Sequence, residues 1–393
     1  MNPIADDLDH GRLPALADVR RNLRVPWYRC RIERRTLQEL NEASDARGLV
    51  QAVGHLGLWA ATGLLAFHLF THQIWWGFLV ALFAHGTVAA FFTAPHHELC
   101  HTTVFRTKRL NELFLRVFSL LGWLNFHVYR FSHSYHHRYT LFIEGDREEV
   151  MPETPSLRPL YLLQLFTVNV TGGYQSRGIV PTLRNFVRLA CNRLDNPFNS
   201  WGPELYEGHR ADGRKAVSWA RLVLAFHAAV IGVAVAAGEP IVAVLVSGSV
   251  FLANWLRYFV GVPMHCGLRS GVADFRKCVR TITLDPLSEF LYWHMNWHLE
   301  HHMYAAVPCY NLKRLHRAVA RDMPAPRTLV GAWREMRATW RRQQTEPDYA
   351  FDTPVPAPRG GRAGDGGGGA ADALAASMGG LTPRALADDE RPS

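Results

Sequence analysis

Two apolar runs without charge constrain this chain more than any other feature. Residues 50–70 contain no Lys, Arg, Asp or Glu, and residues 74–94 form a second such run, rich in Trp and Phe. Only Thr71-His72-Gln73 separates them. About 20 apolar residues in a helix cross the hydrocarbon core of a bilayer, roughly 30 Å thick. Two spans joined by so short a turn form a hairpin with both ends on one side. A second pair follows around Gly238-Glu239-Pro240, flanked by Arg221 and Arg257. The expected fold is therefore all-α and integral to the membrane. Four transmembrane helices, at about 50–70, 74–95, 218–237 and 240–259, form two hairpins under a cytoplasmic helical cap.

The remaining segments are polar. Residues 1–48 are Arg-rich and suggest an interfacial helix around 33–46. The apolar patches at 113–124 and 160–170 are too short to span, and suit the membrane surface or the domain interior. Residues 49–345 make up the membrane domain. Residues 346–393 read as a disordered tail, Gly/Ala/Pro-rich with a GDGGGG run.

The net charge of +9 raises nucleic acid and membrane topology as explanations. Both short turns lack Lys and Arg, whereas the other loops carry many, the pattern of the positive-inside rule. That places both termini and the histidine-rich segments in the cytoplasm and accounts for the charge. No recognition motif accompanies it, so a nucleic-acid partner is not expected. Six scattered cysteines form no CxxC pair and read as free thiols in a reducing compartment. The polar N-terminus shows no positively charged region followed by a short apolar one, so no cleavable signal is expected.

Twenty histidines turn attention to metal. Three clusters stand out: His96-His97-Glu98-Leu99-Cys100-His101, His133-Ser134-Tyr135-His136-His137 and His298-Leu299-Glu300-His301-His302. On a helix, residues three and four apart share a face, so His97 and His101 project together. In each HxxHH cluster the first and the last two histidines lie within about 60° of a common direction. Three facing helices can thus aim eight imidazoles at one volume. One tetrahedral zinc needs four ligands, so eight suit two ions with open positions. Imidazole suits iron, copper, nickel and zinc; redox work on unactivated C–H bonds favours iron. Three clusters of repeated spacing are poorly explained as scattered surface or core histidines. A competing reading uses His97-Glu98-Leu99-Cys100-His101 alone, which matches the HExxH signature of zinc proteases with Glu98 as general base. It leaves both HxxHH clusters without a role.

HxxxH, HxxHH and HxxHH distributed around two apolar hairpins resemble the membrane fatty-acid desaturase/hydroxylase family over roughly residues 45–325. The stretch HMNWHLEHHMYAAVP is most similar to bacterial desaturase-like hydrocarbon oxygenases, which points to a bacterial inner membrane. The third box begins with His where front-end desaturases with a fused cytochrome have Gln, and the Asn-containing box of animal acyl-CoA desaturases is missing. The resemblance implies a non-haem di-iron centre that uses O2 as co-substrate. Its implied ligands are His97, His101, His133, His136, His137, His298, His301 and His302. A ninth, His265 in Pro263-Met264-His265-Cys266-Gly267, stands where members often carry one more.

Glu98, Glu300 and Asp146 are candidates to orient ligand imidazoles, as outer carboxylates do in metal sites; their alternatives are solvated acids or caps. Glu144 is read likewise. Asn296 is a candidate weak or water-mediated ligand. His96, His127 and His294 read as neighbours, and His55 and His85 as neutral histidines bonded between spans.

The implied reaction is O2-dependent desaturation or hydroxylation of an unactivated C–H bond in a fatty acyl or lipid substrate. Terminal-alkene-forming decarboxylation and small-molecule hydroxylation or demethylation are compatible alternatives. No flavin, nicotinamide, haem or Fe–S motif is present, so electrons are expected from a separate ferredoxin, rubredoxin or cytochrome b5 and its reductase. A basic surface (Arg106, Lys108, Arg109, Arg138) would suit an acidic donor or anionic lipid.

Overall fold

The computed structural model describes residues 13–148, 156–172, 178–195 and 201–356. Two short helices, Leu16–Asn22 and Arg34–Leu40, precede the first long one; the second is shorter than the interfacial helix expected at 33–46. Helix α1, Asp45–Thr71, begins where Ser44 Oγ accepts from the N–H of Arg47. The Asp45 carboxylate then ties this end to the N–H and hydroxyl of Thr107, at 2.9 and 2.7 Å. The chain reverses through Gln73, whose φ of 58° supplies the tight turn. It returns as α2, Trp75–Ala90, and α3, Thr93–Cys100.

Histidines bind this hairpin to the rest. His55 Nε2 meets the Val88 carbonyl at 3.1 Å and its Nδ1 accepts from Trp293. His85 Nε2 donates to the Leu245 carbonyl at 2.8 Å. Helices α4 (Lys108–Leu121) and α5 (Phe126–Tyr139) pack against α3, and α7 (Arg210–Ala236) lies against α5 and α6 (Ile179–Ala190). The segments Trp75–Cys100, Asp45–Thr71 and Arg210–Ala236 are long and apolar enough to cross a membrane. Their outward faces expose Val50, Leu64, Trp76, Val80, Leu222 and Val233. Apolar side chains turned away from the core on a helix of that length suit lipid.

The fourth expected span is not one continuous helix. It starts as α8, Pro240–Ala243, widens into a π turn at Val244–Gly248, tightens to a 3-10 turn at Ser249–Phe251 and then stops. Side chains from other elements take its carbonyls: Trp123 Nε1 donates to Ser247 O at 2.9 Å, and His85 takes Leu245 O. The strand-like stretch at 167–169 takes what the next turn would use. The Asn169 N–H bonds Phe251 O, and the Ala253 N–H bonds Thr167 O. Ala253 adopts a φ of 45°, and the helix resumes as α9, Trp255–Gly261. Gly86 permits this break to press on α2, because a Cβ there would lie 2.5 Å from Leu252 Cβ.

The third histidine box sits on the short α10, His298–Met303, backed by α11 (Leu312–Val319), while α12 (Leu329–Gln343) packs on the turn at Val262–Met264. The fold is mainly helical; among the described residues, named strands are limited to a parallel pair, Ile282–Thr283 with Arg327–Thr328. Part of the expected tail is folded onto the domain. The Phe351 N–H bonds the Gly267 carbonyl, and Asp352 pairs with Lys277 at 2.6 Å. The glycine run itself lies outside the described residues.

Candidate metal centre

Each box reaches the interior for a local reason. The first continues the span onto α3, whose length is almost wholly buried. The second occupies α5, started by Asn125 Oδ1 accepting from the Val128 N–H. The third rides on α10. His265 follows a 3-10 turn at Val262–Met264, where α9 has ended.

All nine expected imidazoles are buried and converge in two groups. His97, His101, His133, His137 and His301 form one, and His136, His265, His298 and His302 the other; within each, one ring nitrogen per residue lies within 4.8 Å of the rest. The second box is divided: His133 and His137, four apart, join the first group, and His136 joins the second. The third box divides the other way.

The Nε2 atoms face inward. In the group of five, His97 and His301 approach to 2.8 Å, His133 and His137 to 3.0 Å, and His101 and His133 to 3.2 Å. In the group of four, His265 and His298 approach to 3.0 Å and His136 and His302 to 3.2 Å. Five of the nine outer nitrogens are anchored. His136 Nδ1 donates to Asp146 Oδ2 at 2.9 Å, and His265 Nδ1 to the Cys278 carbonyl at 3.0 Å. Thr140 spends its hydroxyl proton on His136 O, so its oxygen accepts from His302 Nδ1 at 3.1 Å. His133 Nδ1 meets Glu148 Oε2 at 3.3 Å, and His97 Nδ1 the hydroxyl of Tyr129 at 2.7 Å.

These anchors fix the tautomers. An imidazole that carries its proton on Nδ1 presents a lone pair at Nε2. The His136 and His302 lone pairs therefore point at each other across 3.2 Å with no proton to share. Such an arrangement repels unless a cation lies between, so the donor set fits metal. A ligating histidine whose other nitrogen donates to a carboxylate or carbonyl is the usual outer arrangement of such sites. Burial also keeps the rings uncharged. It lowers His101 and His265 to about 3, and lowers His133, His137, His298, His301 and His302 well below the ordinary histidine value, with neighbouring imidazoles adding to the effect.

The remaining expected residues fall less uniformly. Asp146 lies against His136. Glu98 is buried on the outer side of His301, Oε1 3.6 Å from its Nδ1. That position, away from the inward Nε2 atoms, does not suit a protease base acting on metal-bound water. Glu300 does not orient a box imidazole: it accepts from His316 Nδ1 and Thr281 Oγ1, each at 2.5 Å. Asn296 turns its amide nitrogen to the Ile282 carbonyl at 3.0 Å and joins neither group. Glu144 is exposed. His96 pairs with Ser119 and His294 with Glu289, outside both groups. Tyr129, Glu148, Thr140 and the Cys278 carbonyl were not singled out in the sequence. Tyr129 stands four residues before His133 on one helix face, a signal that was available, whereas the Cys278 carbonyl has none.

A cavity of about 380 Å³ adjoins both groups. His97 and His133 line it from one, and His136, His265 and His298 from the other. Phe92, Trp123, Val128, Phe186, Val250 and Met295 supply apolar wall, and Thr93, Tyr129, Glu148 and Arg257 polar wall.

Helices long and apolar enough to cross a membrane, with nine histidines in two groups that could each hold a metal ion, fit a membrane protein with a metal site. Residues 73–333 match the fatty acid desaturase family, and the chain belongs to that family. A search of curated proteins finds no match.

Proposed function

We propose that this protein is a membrane oxygenase that removes hydrogen from an unactivated C–H bond of a fatty acyl or other lipid-like substrate, using O2 at a di-iron centre. The opposed Nε2 lone pairs of His136 and His302 carry this reading, because they call for a cation in the four-histidine group, and the neighbouring five-histidine group gathers its ring nitrogens in the same way. His97, His101, His133, His137 and His301 would hold one iron, and His136, His265, His298 and His302 the other. When bound, the irons supply the O2-derived oxidant.

The protein's own residues do the rest. Asp146, Glu148, Thr140 and Tyr129 hold the imidazole rings in register. The apolar cavity wall excludes water and positions one carbon of the substrate beside both groups. Whether an alkene or an alcohol results depends on how the cavity places that carbon. We assign the two hairpins to the membrane and the histidine groups to the cytoplasmic side, on the Lys/Arg bias of the loops. Electrons would come from a separate redox protein, because the sequence carries no fingerprint of a bound electron carrier.

The test is metal analysis of the purified, detergent-solubilised protein, with O2 uptake under reductant and with His133→Ala and His136→Ala alongside. The expected result is two irons per chain, one lost in each variant, with uptake abolished in both. One zinc per chain, retained in His133→Ala, would overturn the proposal.

A further inference from the structure

His265 differs from the other expected ligands in how the chain holds it. Seven of them lie within helices and His101 ends one. His265 follows the 3-10 turn at Val262–Met264, so its place depends on contacts from elsewhere in the chain. Residues 278–282 supply them. The Cys278 carbonyl accepts from His265 Nδ1 at 3.0 Å, and the Arg280 N–H donates to the Met264 carbonyl at 2.8 Å. Arg280 Nη1 donates to the carbonyls of Pro263 and Cys266, the second at 3.1 Å, on either side of His265.

The same segment holds the third box. Thr281 Oγ1 donates to Glu300 at 2.5 Å. The Ile282 N–H bonds Asn296 O, and the Ile282 carbonyl accepts from the Asn296 amide, each at 3.0 Å. His298 stands between Asn296 and Glu300 in sequence, and its Nε2 lies 3.0 Å from that of His265. Arg280 itself is 1% exposed. A charge so buried is tolerated only with its donors paired. Glu335 of α12 supplies the pairing: its Oε1 takes Nε at 2.9 Å and Nη2 at 2.8 Å, and its Oε2 takes Arg327 Nε at 3.1 Å. This fork fixes the plane of the guanidinium and aims Nη1 at the His265 turn. Resting on the oxygenase reading, we propose that Arg280 is a positioning residue for the metal centre. Clamped by Glu335, it sets the His265 turn against α10 so that His265 and His298 face each other in the four-histidine group. Lysine would keep the charge but lacks the planar fork that joins Glu335 to both carbonyls.

The test follows iron by chelator competition and by Mössbauer spectra of the purified full chain in detergent, for wild type, Arg280→Lys, His265→Ala and the double variant. Arg280→Lys should release one of the two irons at about tenfold lower chelator concentration and leave the other unchanged, as loss of an outer support does. In the spectra one iron component should shift and the other stay. In the His265→Ala background Arg280→Lys should change iron affinity by less than about twofold, because the group it positions is gone. Unchanged iron binding in Arg280→Lys, equal weakening of both irons, or an effect as large without His265 as with it would overturn the proposal. Should Arg280→Lys fail to fold, Glu335→Gln decides: it keeps an acceptor for Nε, loses the charge, and should weaken the same iron with the same dependence on His265. A wild type that binds no pair of irons would sink the oxygenase reading and this proposal with it. Two irons in wild type with an unselective loss in the variants would count against this proposal alone.

Discussion

Asp146 offers the sharpest separation between holding a fold and holding a metal. Its side chain is fully buried, and its Oδ2 accepts from both His136 Nδ1 and the Leu141 N–H, at 2.9 and 2.8 Å. Asp146→Ala would strand two buried donors. Each costs about 1–3 kcal/mol, so the metal-free protein should lose about 2–6 kcal/mol. Asp146→Asn can place its amide oxygen where Oδ2 stands and keep both bonds while losing the charge. Removing an outer partner of a metal-ligating histidine weakens metal affinity about 10–100-fold. The assay is a thermal melt of the chelated protein in detergent, paired with iron retention against a competing chelator. Asp146→Ala should fall in both measurements. Asp146→Asn should melt close to wild type yet lose the iron of the four-histidine group at lower chelator concentration. An Asp146→Asn protein that holds iron as wild type does, or that melts as low as Asp146→Ala, would refute the reasoning.

Further expectations follow from other residues. Glu98 lies buried beside His301, so Glu98→Gln should weaken iron in the five-histidine group about tenfold by the same chelator titration; peptide hydrolysis lost in that variant would instead revive the zinc-protease reading. Burial depresses His101 and His265 to about 3, whereas in the unfolded chain they take up protons near 6.5. The unfolded state then binds more protons below pH 6.5, and the metal-free protein should lose stability as pH falls from there toward 3. Each of these two residues contributes about 1.4 kcal/mol of that loss by pH 5.5, readable as melting temperature against pH; a flat profile would contradict it. Gly86→Ala sets a Cβ 2.8 Å from the Leu252 carbonyl oxygen at the break in the fourth apolar run, and should cost about 1–3 kcal/mol in a thermal melt. Full tolerance would mean that the close approach is not required.

Much of the fold was legible because its signals are local. The uncharged runs at 50–70 and 74–94 had the length for membrane helices, and His97/His101, His133/His137 and His298/His302 were already placed on common faces by the helical period. The nine imidazoles themselves could be named from box spacing and family resemblance. The tertiary structure decided how they are shared. His136 and His137, adjacent in sequence, point about 100° apart on their helix and serve different groups, and His301 joins residues some two hundred positions away. It also decided that the run from Pro240 is interrupted, because the groups that end its helix belong to His85, Trp123 and residues 167–169. Glu300 turned to His316 for the same kind of reason. A helical repeat specifies which side chains leave the same face, whereas which partners meet them depends on how distant helices cross.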